Sequence, residues 1–264
     1  MQANSVDQWF WWVNGDGHHL SWSSKCLMVY GALMWLACAF TYLLSVNDAR
    51  TLREVGVWIK PMKFMAATAL FAWTTVWVTE LADAAITQQQ PYMGICILIV
   101  ATSLFEVAYI TYQAAQGSAS HYNTSDPWHA FMFGLMAIAA VGLTASQGWL
   151  AWEIWKTRSA GPLNVTAWGV ITGLALTFLL STISGFLLGG NQPPPGAGLP
   201  LVGWHLHKDI RPSHFLGVHA QQLIPLWGLI ADRFLGGYAS HALLAGSSLY
   251  VMLWWMLTWS SLSA

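Results

Sequence analysis

The chain reads as an all-α polytopic membrane protein, a bundle of about seven transmembrane helices forming one domain over residues 1–264. Three observations predict this. Hydrophobic residues make up 56% of the chain and Asp, Glu, Lys and Arg only 8%, whereas soluble domains carry roughly a quarter charged residues. The apolar runs reach the ~18 or more residues that a spanning helix requires. Proline and glycine punctuate these runs where helices should start and stop.

The predicted spans are 24–45, 60–82, 92–115, 129–155, 165–188, 213–233 and 241–261. At ~1.5 Å rise per residue, each covers a hydrocarbon core of ~30 Å. Pro61 fits the first turn of the second span. Pro91, Pro127, Pro162 and Pro212 stand at the starts of the third to sixth, Gly189-Gly190 closes the fifth, and Gly236-Gly237 separates the last two. The first 24 residues contain no Lys or Arg, so the charged region of a cleavable signal peptide is missing and insertion depends on the first span. Residues 1–23 form an outer tail whose Trp9, Phe10, Trp11 and Trp12 suit the membrane interface. Most of the 18 tryptophans fit an aromatic belt, including Trp149, Trp152 and Trp155 and, at the other end of the chain, Trp254, Trp255 and Trp259. Residues 189–212 make a long polar, proline- and glycine-rich loop, the kind that often serves function.

Cys26, Cys38 and Cys96 are isolated, without a CxxC pair, and read as apolar fillers. The net charge is −1 and the ten Lys and Arg form no basic stripe, so no nucleic acid is expected as a partner. The loops on one side hold Arg50, Arg53, Lys60, Lys63, Lys208 and Arg211, and the other side holds Lys25, Lys156, Arg158 and Arg233. This asymmetry places the first side in the cytoplasm, the amino terminus outside and the carboxyl terminus inside a bacterial inner membrane.

Alternating spans bring His121, His129, His205, His207, His214 and His219 to that same side. Glu106 falls within the third span, where a carboxylate is costly and marks a functional site by default, with interhelical packing as the alternative. Gln113 lies two turns on, on nearly the same face, with Tyr109 between them. This polar stripe leads to His121 and Asn123, and then to Asp126 and His129 at the next helix start.

His214 and His219 open the sixth span, separated by roughly 140° on an ideal helix, so they do not chelate one ion by themselves. Each is expected to face a different neighbour: His214 with Gln221, and His219 with Gln222. With His121 and Glu106 added, the donors suit zinc or non-haem iron, and two histidines from separate helices suit haem. Lys60 and Lys63 either snorkel to lipid phosphates or bind an anionic substrate. Glu80 and Asp83 read as a solvated rim. There is no lysine in the last span for a retinal Schiff base, no HxxxH, no desaturase-type histidine boxes, no P-loop and no nucleophile elbow.

The segments VWIKPMKF (Val57–Phe64), Glu106…Gln113…SHYN (ending at Asn123) and HFLGVHAQQLIP (His214–Pro225) resemble a family of bacterial multi-pass, seven-helix membrane proteins that carries no assigned function. The resemblance implies that Lys60, Lys63, Glu106, Gln113, His121, Asn123, His214, His219 and Gln222 belong together, and it implies no substrate. Three functions remain open. The first is a membrane enzyme or cofactor-binding protein, such as a metal-dependent oxidoreductase or hydrolase, acting on a lipid-soluble substrate. In that reading Glu106 and Gln113 are catalytic, Lys60, Lys63, Asn123 and Gln222 bind the cofactor, and His121, His214 and His219 hold the metal. The second is a proton-coupled transporter. The third is a non-catalytic subunit or assembly factor of a larger membrane complex.

Overall fold

The computed structural model describes residues 20–157, 163–190, 198–199, 203–204, 206 and 208–263. Among these, seven long helices run Trp22–Asn47 (α1), Ile59–Asp83 (α2), Gln90–Ala115 (α3), Pro127–Thr157 (α4), Val165–Gly189 (α5), Arg211–Phe234 (α6) and Ala239–Ser263 (α7). Thr51–Leu52 (β1) pairs antiparallel with Val55–Gly56 (β2), and Gly198–Leu199 (β3) with Gly203–Trp204 (β4). The predicted spans fall inside these helices. The proposed tail lies largely outside the described residues, as do His205, His207, Arg158 and Pro162.

Local chemistry sets the boundaries. The Ser21 hydroxyl accepts from the Ser24 amide at 3.1 Å, and Asn164 Oδ1 from the Ala167 amide at 2.7 Å. Asp126 Oδ1 accepts from the amides of Trp128 and His129. Each oxygen satisfies a donor that a helix start leaves open. Pro91 and Pro212 occupy the first turns of α3 and α6, where no amide donor is needed.

Six of the seven helices are long and apolar enough to cross a membrane. Their outer faces carry large exposed apolar side chains, such as Leu33, Leu36, Phe40 and Leu43 on α1 and Leu249, Leu253 and Met256 on α7. A water-facing surface would not tolerate so much apolar area. α6 is the exception, because His214, His219, Gln221, Gln222, Asp232 and Arg233 lower its hydropathy. It nevertheless lies alongside α5 and against α7, and Gln221 is fully buried.

Small residues allow the α5–α6 approach. A Cβ on Gly217 would stand 2.7 Å from the Ser181 amide nitrogen, and one on Gly173 would stand 2.6 Å from Pro225 Cδ. Gly169 and Gly228 face each other backbone to backbone. Within lipid there is little hydrophobic drive to associate helices, so close backbone contact and interhelical hydrogen bonds take its place.

The tryptophans divide between two uses. Trp152 stacks on Trp155 and Trp255 on Trp259 near helix ends, with Trp152, Trp255 and Trp259 exposed as a belt requires. Trp73 and Trp227 instead cover Gly31 and Gly246, and their indole N–H groups donate to the carbonyls of Met28 and Ala242. These two rings tie helix pairs together.

Gly217→Leu is expected to cost about 1–3 kcal/mol through overpacking at the α5–α6 contact. Gly134→Ala, whose new methyl group meets nothing within 4 Å, should be nearly neutral. Thermal unfolding of the detergent-purified protein measures both, and equal melting of the two variants would refute the packing argument.

Candidate functional site

At the end of the bundle shared by the 48–58 and 116–126 loops and the start of α6, the first group to consider is Lys60. It is half-buried in the first turn of α2, with its ammonium 5.8 Å from the centre of the Phe64 ring. Its charge acts on Glu106 from α3 and on His121 from the following loop. Glu106 is 6% exposed and forms no hydrogen bond or direct ion pair among the described residues. The other buried glutamate makes a useful contrast. Glu153, at the opposite end of the bundle, is equally buried but holds Lys156 at 2.7 Å and accepts from Trp149 Nε1 at 2.9 Å.

His121 lies between the rings of Phe64 and Phe133, with centroids 6.0 and 5.9 Å away. Its Nδ1 is 3.2 Å from Ser120 Oγ. Burial and the neighbouring Lys60 ammonium hold this imidazole well below its ordinary pKa of 6.5. The adjoining Tyr122 adopts a left-handed backbone (φ 58°) and donates its hydroxyl at 2.7 Å to the Leu188 carbonyl. One of the open carbonyls at the end of α5 is thereby satisfied.

A second clamp lies on the neighbouring loop. Arg50 pairs with Asp48 at 2.7 Å and donates to the Ala115 carbonyl at the end of α3. Trp58 Nε1 also donates to Asp48. Hydrogen bonds from Arg50, then from Trp58, hold the Asp48 carboxyl far below the usual carboxylate range. A hollow of about 190 Å³ opens beside this clamp, lined by Ser45, Asp48, Glu54, Gly56, Val57, Trp58 and Ile59. None of the site residues expected from the sequence lines it.

The expected histidine cluster does not form one donor set. No three His, Cys, Asp or Glu groups among the described residues stand close enough to hold a metal ion. The reason is directional. His121 is enclosed by aromatic rings, while His214 and His219 leave α6 on different bearings. His214 Nδ1 lies 3.0 Å from Ser184 Oγ, on α5. The expected His214–Gln221 pairing is therefore replaced by His214–Ser184. The expected His219–Gln222 pairing is present at 3.3 Å, and Gln222 Nε2 continues to Thr74 Oγ1 at 3.1 Å.

The remaining expected residues separate by role. Gln113 is buried two turns beyond Glu106. Lys63 is exposed and lies within electrostatic reach of Arg211. Asn123 donates to the Ala119 carbonyl and accepts from the Ser125 amide, bonds that shape its own loop. His129 is taken up by Asp126 at 2.5 Å. Sequence reasoning passed over Asp48, Trp58, Thr74 and Ser184. Hydroxyls and indoles are common in such helices, and no local pattern distinguishes those that reach across to another element.

Comparison with known protein families, with curated proteins and with solved structures returns no match for this chain.

The depressed pKa of His121 has a pH consequence. Its neutral form is favoured in the fold, so its contribution to stability is complete above the ordinary value of 6.5 and is lost as the pH falls below it. Melting temperature should therefore decline on acidification from neutral pH, and His121→Gln should flatten that decline. An unchanged slope in the variant would contradict the placement of His121.

Proposed function

We propose that this protein is a membrane-embedded enzyme or binding protein that receives the polar end of a lipid-soluble molecule at Lys60, Glu106 and His121. One observation carries the reading: of two equally buried glutamates, Glu153 is fully paired and Glu106 is not. An ionisable group kept within the membrane without a structural partner marks a functional position. Glu106 would exchange a proton with the bound molecule, Lys60 would balance negative charge, and neutral His121 would offer a hydrogen bond. His214 and His219 on α6 present imidazoles whose ring orientations are already set by Ser184 and Gln222. A zinc or non-haem iron form of this function has less support, because the histidines diverge.

We further place the protein in a bacterial inner membrane, with this pocket at the cytoplasmic end and the amino terminus outside. The greater number of Lys and Arg on that side supports the orientation.

Organic extraction of purified protein followed by mass spectrometry tests the reading. Wild type should carry an amphipathic small molecule, and Glu106→Gln and Lys60→Met should each reduce its recovery at least about tenfold, the loss of one charged contact. Equal recovery from all three would sink the proposal.

A proton-coupled carrier is the second reading, favoured by the hydrogen-bonded chain from His219 through Gln222 to Thr74. It calls for proton flux in proteoliposomes that Glu106→Gln abolishes. Flux unaffected by that substitution would remove this alternative.

A further inference from the structure

Most hydroxyls inside this bundle are satisfied by a carbonyl one turn back on their own helix, as Thr75, Thr79, Ser103, Ser184 and Thr258 show. A few polar atoms are not. Among the described residues, the buried side-chain atoms without a hydrogen-bond partner are Tyr109 Oη, Gln147 Oε1, Thr177 Oγ1, both amide atoms of Gln221, Ser247 Oγ and Trp254 Nε1. Those of Gln147, Thr177, Gln221 and Ser247 share one depth.

Interhelical contacts establish that depth. Gln222 reaches Thr74, and Gln147 donates to the adjacent Thr75 at 3.4 Å, so α4 and α6 meet α2 at neighbouring residues. Gly173 abuts Ala220 and Pro225 while Ser181 abuts Gly217, which sets Thr177, midway between them, opposite Gln221. Trp227 reaches Ala242 and Tyr250 reaches Leu216, which brackets Ser247 at the same level. Thr177, Gln221 and Gln147 are 0% exposed and Ser247 is 8% exposed. Pro225 adds to the imbalance, since it has no N–H to offer the Gln221 carbonyl four residues earlier.

We propose that this layer across α2, α4, α5, α6 and α7 is an internal water-binding site. The unpartnered groups at this level include donors and acceptors: the Gln221 amide offers both, and the Thr177 and Ser247 hydroxyls can do either. A bare cation would satisfy the oxygens and leave Gln221 Nε2 unpaired. Water satisfies all of them, and a buried water typically makes about three such bonds. The site adjoins the His219–Gln222–Thr74 chain, so it carries hydrogen-bonding capacity from the His219 imidazole towards the centre of the bundle. It does not depend on what the Lys60–Glu106–His121 site binds.

Stability decides the matter by its sign. In a dry layer, Gln221→Leu and Thr177→Val would remove unpartnered polar groups and raise the melting temperature. In a water-filled layer, each should lower it by roughly 3 °C or more, because bridging bonds are lost. Melting should also be equal in sodium, potassium and choline buffers. A rise in either variant, or a sodium-specific stabilisation of the wild type, would overturn the proposal. Should both variants fail to fold, a high-resolution map of the wild type provides the second measurement. Resolved water peaks beside Gln147, Gln221 and Ser247 are expected there, and clear density without them would refute it.

Discussion

When α5 and α6 approach so closely that Gly169 and Gly228 touch backbone to backbone, the most polar helix of this chain becomes part of its interior. α6 alone lacks the hydropathy of a spanning segment. Its polar face therefore has to be turned inward and its glycines pressed against α5. Everything of chemical interest on that helix follows from this contact: His214 meets Ser184 because the backbones are near, and Gln222 reaches Thr74.

The polar groups of the fold are of three kinds. Some are satisfied locally, such as the hydroxyls that bond one turn back and the Asp126 carboxylate at the start of α4. Some are satisfied across elements, as with Tyr122 and Leu188, Arg50 and Ala115, or Trp58 and Asp48. The third kind is left unpaired inside. Glu106 belongs there, and so does the layer around Gln221. Unpaired burial is costly, and most of the unpartnered atoms among the described residues fall in the layer around Gln221.

Spans, caps and boundary prolines were legible because they depend on nearby residues: a run of apolar side chains, an Asn or Asp before a helix, a proline in its first turn. Glu106 was legible for the same reason, as a carboxylate within an apolar run. The His219–Gln222 pair also follows from spacing along one helix. The His214 partner did not, since Ser184 is thirty residues away on another helix. The gathering of His121, His214 and His219 into one donor set failed because sharing an end of the bundle does not specify where the rings point. Nor did the abundance of tryptophan reveal that Trp73 and Trp227 lie over glycines while others line the interface.

From composition and periodicity alone, this chain was bound to be a multi-span helical bundle with a buried acid in its third helix. Those properties come from transfer free energies and helix geometry, which act residue by residue. Which glutamate stays unpaired, which imidazole meets which hydroxyl, and which polar atoms share a layer were decided only by tertiary packing. They depend on the rotation and register of each helix against its neighbours, set by small residues and distant contacts that no local pattern encodes.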